Sequence, residues 1–152
     1  MMINRRKFLK LLLVIGTVGT GMWKTVSAAV GWPVSDFAPM NVDAATKQLL
    51  KGKTATETDK IELTIPEIAE NGAVVPVTVS SSLEGIKSVA LIAEFNPVPL
   101  AIQMFVTPDI EPTLSTRLKL AETSFVYAFA ETENGWFSTR KKVKVTIGGC
   151  GG

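Results

Sequence analysis

The sequence predicts an all-β domain: an immunoglobulin-like β-sandwich of about seven strands, with a short N-terminal helix and a flexible C-terminal Gly-Gly-Cys-Gly-Gly arm. Three observations carry this. From Lys60 onward the chain breaks into short runs rich in β-branched and aromatic residues, with no helical period. Turn chemistry punctuates those runs at Asn71-Gly72, Glu84-Gly85, Asn96-Pro97, Pro108 to Pro112 and Asn134-Gly135. About seven strands then fall within roughly 90 residues, the spacing of a two-sheet sandwich.

Residues 1–29 read as an export signal, removed on maturation. "NRRKFLKLLLVIGTVGTGMWKTVSAA" has a basic start, an apolar run from Leu11 to Trp23 and a small-residue end at Ser27-Ala28-Ala29. The run is shorter than the about 20 apolar residues of a membrane span, so no stable span is expected. Asn4-Arg5-Arg6-Lys7-Phe8-Leu9-Lys10 resembles the twin-arginine pattern, with Phe-Leu-Lys in register behind the arginine pair. An ordinary secretory start would not need that register. The twin-arginine reading implies export of a folded protein to the periplasm, where disulfides are permitted.

Residues 30–59 form a lead and one helix. In "VDAATKQLLKG" Asp43 is the expected N-cap, Ala44 through Lys51 are good helix formers, and Gly52 is the stop. At two to three turns, roughly, the helix is marginal alone and needs Leu49 and Leu50 packed on the domain. The sandwich follows over residues 60–147, with strands expected at 60–65, 73–80, 86–95, 101–106, 114–121, 124–132 and 136–147. Pro76 demotes the second of these to an edge or a bulge.

The last strand alternates cleanly, Val143, Val145 and Ile147 against Lys142, Lys144 and Thr146. A charged solvent face accounts for Arg140, Lys141, Lys142 and Lys144 more cheaply than a docking patch does. "SFVYAFA" (residues 124–130) and "SVALIAEF" (residues 88–95) are instead apolar on both faces as far as Glu94. A sandwich buries one face of each strand, so the second face needs a cover: the helix for one, a protein partner for another.

Composition excludes several functions. The chain has no histidine, which removes the usual general base and the commonest transition-metal ligand. Five of the sixteen basic residues lie in the export segment and all fourteen acidic ones lie after it, leaving the remainder at a net charge of −3. No nucleic-acid partner is expected of such a domain. No Cys-x-x-Cys, haem-attachment motif or phosphate-binding glycine loop is present, so no cofactor, metal site or catalytic residue is expected.

What remains is Cys150, the single cysteine, between Gly148-Gly149 and Gly151-Gly152. Glycine makes this segment costly to order, and three residues past the last strand the thiol can swing roughly 10 Å. The thiol has no histidine or buried environment to activate it for catalysis. It reads as a handle for a covalently attached group on an arm thin enough to enter another protein's active site. An intermolecular disulfide, giving a Cys150-linked homodimer, is the alternative, although a structural cross-link does not require glycines on both sides.

The stretches "PEIAENGAVVPVTV" (residues 66–79), "FNPVPLA" (95–101), "STRLKLAETS" (115–124) and above all "VKVTIGGCGG" (143–152) resemble the SoxY family, the sulfur-carrier subunit of the periplasmic Sox thiosulfate-oxidation system. The resemblance implies a heterodimer with a SoxZ-like small β-sandwich subunit. It implies that Cys150 is conjugated to thiosulfate by a haem-containing enzyme, giving a cysteine S-thiosulfonate. A sulfate-releasing hydrolase and a sulfane-oxidising enzyme then act on the adduct while Gly148, Gly149, Gly151 and Gly152 serve as the arm. On this reading the chain is a carrier, and its partners do the chemistry.

Overall fold

In the computed structural model, residues 34–38, 40–107 and 110–147 are described. The export segment 1–29 and the arm 148–152 lie outside them. A 3-10 turn (Val34–Phe37) leads into helix α1 (Val42–Leu49), followed by β1 (Ala55–Glu57), β2 (Ile61–Thr64), β3 (Ile68–Asn71), β4 (Val75–Ser81), β5 (Ser88–Ala93), β6 (Leu100–Phe105), β7 (Leu114–Leu118), β8 (Ser124–Thr132) and β9 (Gly135–Ile147).

The strands form two sheets. The larger has the order β1-β9-β8-β5-β6, with β3 also paired to β9, and the smaller has the order β2-β4-β7. This is the expected all-β sandwich. All seven expected strands are present, and β1 and β3 add to them. Both additions are short, lack alternation and pair in parallel with β9, so only the long partner strand defines them.

Period two now has a physical meaning. Val126, Ala128 and Ala130 of β8, Val89 and Leu91 of β5, and Val143 of β9 face the small sheet's Leu63, Val75, Val77 and Val79 to form the central core. Full burial of each Val or Leu contributes roughly 1.5–3 kcal/mol. The opposite face of β5 and β8 is apolar as well, and α1 covers it: Ala45, Leu49 and Leu50 pack with Ala90, Ile92, Leu100, Phe129 and Trp136. The doubly apolar strands are therefore explained in large part by this chain's own helix.

Two local expectations need correction. Asn41, not Asp43, caps α1: its backbone is extended and its Oδ1 accepts from Ala44 N at 2.8 Å. Asp43 lies inside the first turn, where its charge complements the helix dipole. The other end closes in a double turn, with Gly52 N donating to Lys47 O and Lys51 N to Gln48 O, which forces positive φ on both Lys51 and Gly52.

Pro76 lies in β4, the middle strand of the small sheet, so that strand is not an edge. The proline is tolerated because β2 pairs only as far as Thr78, leaving β7 as the one neighbour at Pro76. Ser82 N donates toward β2 at Lys60 O, so by alternation the Pro76 nitrogen faces the same side, where no acceptor strand lies.

Candidate functional site

β9 is 13 residues long and ends at Ile147, directly before Gly148. Cys150, Gly148, Gly149, Gly151 and Gly152 all lie outside the described residues, so the structure defines their point of attachment. That point is held from two sides.

On one side β3 runs parallel to the end of β9, pairing Ala69 with Val145 and Asn71 with Ile147. Gly72 N donates to Ile147 O at 2.7 Å, while Gly72 O accepts from Leu120 N at 2.7 Å. The Asn71-Gly72 turn, itself fixed by Ala73 N donating to Asn71 Oδ1 at 2.8 Å, thus ties the end of β9 to the segment before β8. Thr146 Oγ1 adds a bond to Glu70 O at 2.8 Å.

On the other side β8 begins at Ser124, paired with Val143, and no strand flanks Val145 there. Thr123 takes over: its Oγ1 accepts from Val145 N at 3.0 Å and lies 3.4 Å from Val145 O as a donor. A hydroxyl thereby satisfies a ladder position that the next strand cannot reach. Ile147 remains 69% exposed, so the clamp is made of hydrogen bonds and not of burial.

Sequence reasoning located the cysteine but not Thr123, Thr146 or Gly72. Thr123 precedes a strand and Gly72 sits in a turn, and neither carries a periodic signal. Their partners lie 22 residues away for Thr123 and beyond β8 for Gly72, so only the folded chain reveals the clamp.

Upstream, the side chains of β9 meet an aromatic row. Tyr127 is paired with Arg140 and Phe125 with Lys142. The Arg140 guanidinium lies 5.0 Å from the Phe125 ring centre and 5.9 Å from that of Tyr127, and Lys142 Nζ lies 5.9 Å from Phe125. These cations cover the aromatic surface that α1 leaves open. Among the described residues the ion pair is Lys87 with Glu133 at 3.7 Å, and no group of three or more acidic or cysteine side chains gathers to hold a metal. Among them, too, no helix is long and apolar enough to cross a membrane.

The chain matches the family described as "Sulfur oxidation protein SoxY" over residues 46–150, well over half its length and through Cys150. The sulfur carrier protein SoxY from Chlorobium limicola f thiosulfatophilum is similar in structure, with a TM-score of 0.63 and 31% identity over 70% of this chain and 97% of that one. A superoxide reductase (neelaredoxin) from Ignicoccus hospitalis superposes with a TM-score of 0.51 at 22% identity, over 76% of this chain and 99% of that one. That second likeness shows the fold alone. No curated protein matches.

Proposed function

Since the chain belongs to the SoxY family of sulfur oxidation proteins, we propose that it carries thiosulfate-derived sulfur covalently on Cys150 and presents it to partner enzymes outside the cytoplasm. The observation that carries the reading is the clamped end of β9 directly before Gly148, joined to a family match that extends through the cysteine. A fixed base followed by glycines, which have broad φ/ψ freedom, suits a tether that must enter a partner's active site.

The chemistry is that of a thiol. Conjugation joins the Cys150 sulfur to the outer sulfur of thiosulfate, releasing one proton and two electrons, which a haem-containing partner accepts. Water then cleaves the terminal sulfur–sulfur bond of the S-thiosulfonate, releasing sulfate and leaving a persulfide for a sulfane-oxidising enzyme. This chain supplies the nucleophile, the tether and the rigid base. A SoxZ-like subunit is the proposed companion, and the 1–29 segment the proposed twin-arginine address to the periplasm.

Intact mass spectrometry of protein isolated after growth on thiosulfate tests the reading. Adducts of sulfane sulfur and of one whole thiosulfate on the Cys150 peptide are expected, and none in a Cys150→Ser chain. Adducts that persist in that variant, or a wild-type chain that carries only a disulfide, would refute it.

A further inference from the structure

β9 has a gap along one edge. β1 accompanies it as far as Ser138 and β3 joins only at Lys144, because the intervening chain crosses to the other sheet as β2. Thr58 N donates to Ser138 O at 3.0 Å and Lys144 N donates to Glu67 O at 2.8 Å, so the even-numbered residues of β9 point their backbone groups to this side. By alternation the N–H and C=O of Arg140 and Lys142 also point there, between the two strands, with no partner strand. Such a row is a template for pairing with an extended chain.

A cavity of about 700 Å3 opens at the gap, lined by Lys141, Lys142, Lys144, Thr123, Glu67 and the apolar Ile65 and Ile68. Three lysines and one glutamate are among its lining residues. Arg140, Lys141, Lys142 and Lys144 form no ion pair among the described residues. By contrast, the cleft of about 630 Å3 beside α1 mixes Asp43 and Glu94 with Lys47 and Lys53, and selects no sign of charge.

We propose that this open stretch of β9 is the docking site for an extended acidic segment of a partner protein. Its backbone pairs with Arg140 and Lys142, and its carboxylates on the outer face meet Lys142 and Lys144. Alternate apolar side chains turn toward Ile65 and Ile68. Backbone pairing limits the occupant to a polypeptide, and the unpaired lysines limit it to an acidic one. A segment so bound ends five residues upstream of Ile147, about 17 Å along the strand from it. The binding itself does not depend on the carrier reading.

The test is NMR titration of the reduced, full-length chain with the capped peptide Glu-Val-Glu-Val-Glu. Alongside it go a version N-methylated at alternate residues, which keeps the charge but cannot pair, and sodium sulfate. The unmodified peptide is expected to slow amide exchange at Arg140 and Lys142. Its affinity should fall by roughly tenfold in Lys142→Gln/Lys144→Gln, and again between about 20 mM and about 300 mM salt.

Equal binding of the N-methylated peptide, equal protection by sulfate alone, or unchanged exchange at Arg140 and Lys142 would each overturn the proposal. Should the double variant lose its fold, the comparison of the two peptides on the wild-type chain still decides. A Cys150→Ser chain must bind the peptide as the wild type does, which keeps this outcome separate from failure of sulfur loading.

Discussion

Thr123→Val replaces one hydroxyl with a methyl of similar size and removes the sole acceptor of Val145 N at the end of β9. The bond is 3.0 Å long and part-buried. Because β8 begins one residue later, at Ser124, no strand carbonyl can replace it. An amide left without its acceptor in such a setting costs about 1–2 kcal/mol, a factor of roughly 5–30 in the opening equilibrium.

Native-state hydrogen exchange should therefore show Val145 N–H exchanging about 5–30 times faster in the variant. Chemical denaturation should show a loss of about 1–2 kcal/mol. Thr123→Ser keeps the oxygen and should stay within about threefold of the wild type. Fraying past Val145 would lengthen the tether of Cys150 by up to about 10 Å and blur where the arm starts. If Val145 exchanges at the wild-type rate in Thr123→Val, the hydroxyl is not what holds the strand end, and the clamp described above is wrong.

Lys51 sits at φ 53, a conformation that side chains disfavour; Lys51→Gly should raise stability by about 0.5–1 kcal/mol in thermal denaturation, and a loss would show that the lysine side chain offsets the strain. Ser124 Oγ is buried without a hydrogen-bond partner, so Ser124→Ala should be neutral or stabilising by up to about 1 kcal/mol; a marked drop in the denaturation midpoint would reveal a partner for the hydroxyl. Gly149→Val/Gly151→Val keeps the Cys150 thiol and should still give a disulfide in air, yet should be loaded with thiosulfate far more slowly by the conjugating enzyme. Loading at the wild-type rate would mean that those glycines do not serve access.

By itself the sequence determined the fold class and singled out Cys150 as the proposed attachment point. Strand periodicity is local: Val143, Val145 and Ile147 alternate with Lys142, Lys144 and Thr146 whatever strand lies beside them, and the hairpin at Asn134-Gly135 is set by its own residues, with Gly135 at φ 129. A cysteine between two glycine pairs is equally a local fact. Tertiary structure decided whatever depends on a distant neighbour. β1 and β3 exist because β9 is long enough to pair with both, and Pro76 is permitted in a middle strand because β2 stops short of it. The apolar back of β5 and β8 is covered because α1 folds over it. The end of β9 is held by Thr123 and Gly72, and its middle is left open, because the chain between β1 and β3 leaves for the other sheet. Hydrogen bonds formed across 20 or more residues depend on how the sheets close around the core, and no local pattern of side chains encodes that closure.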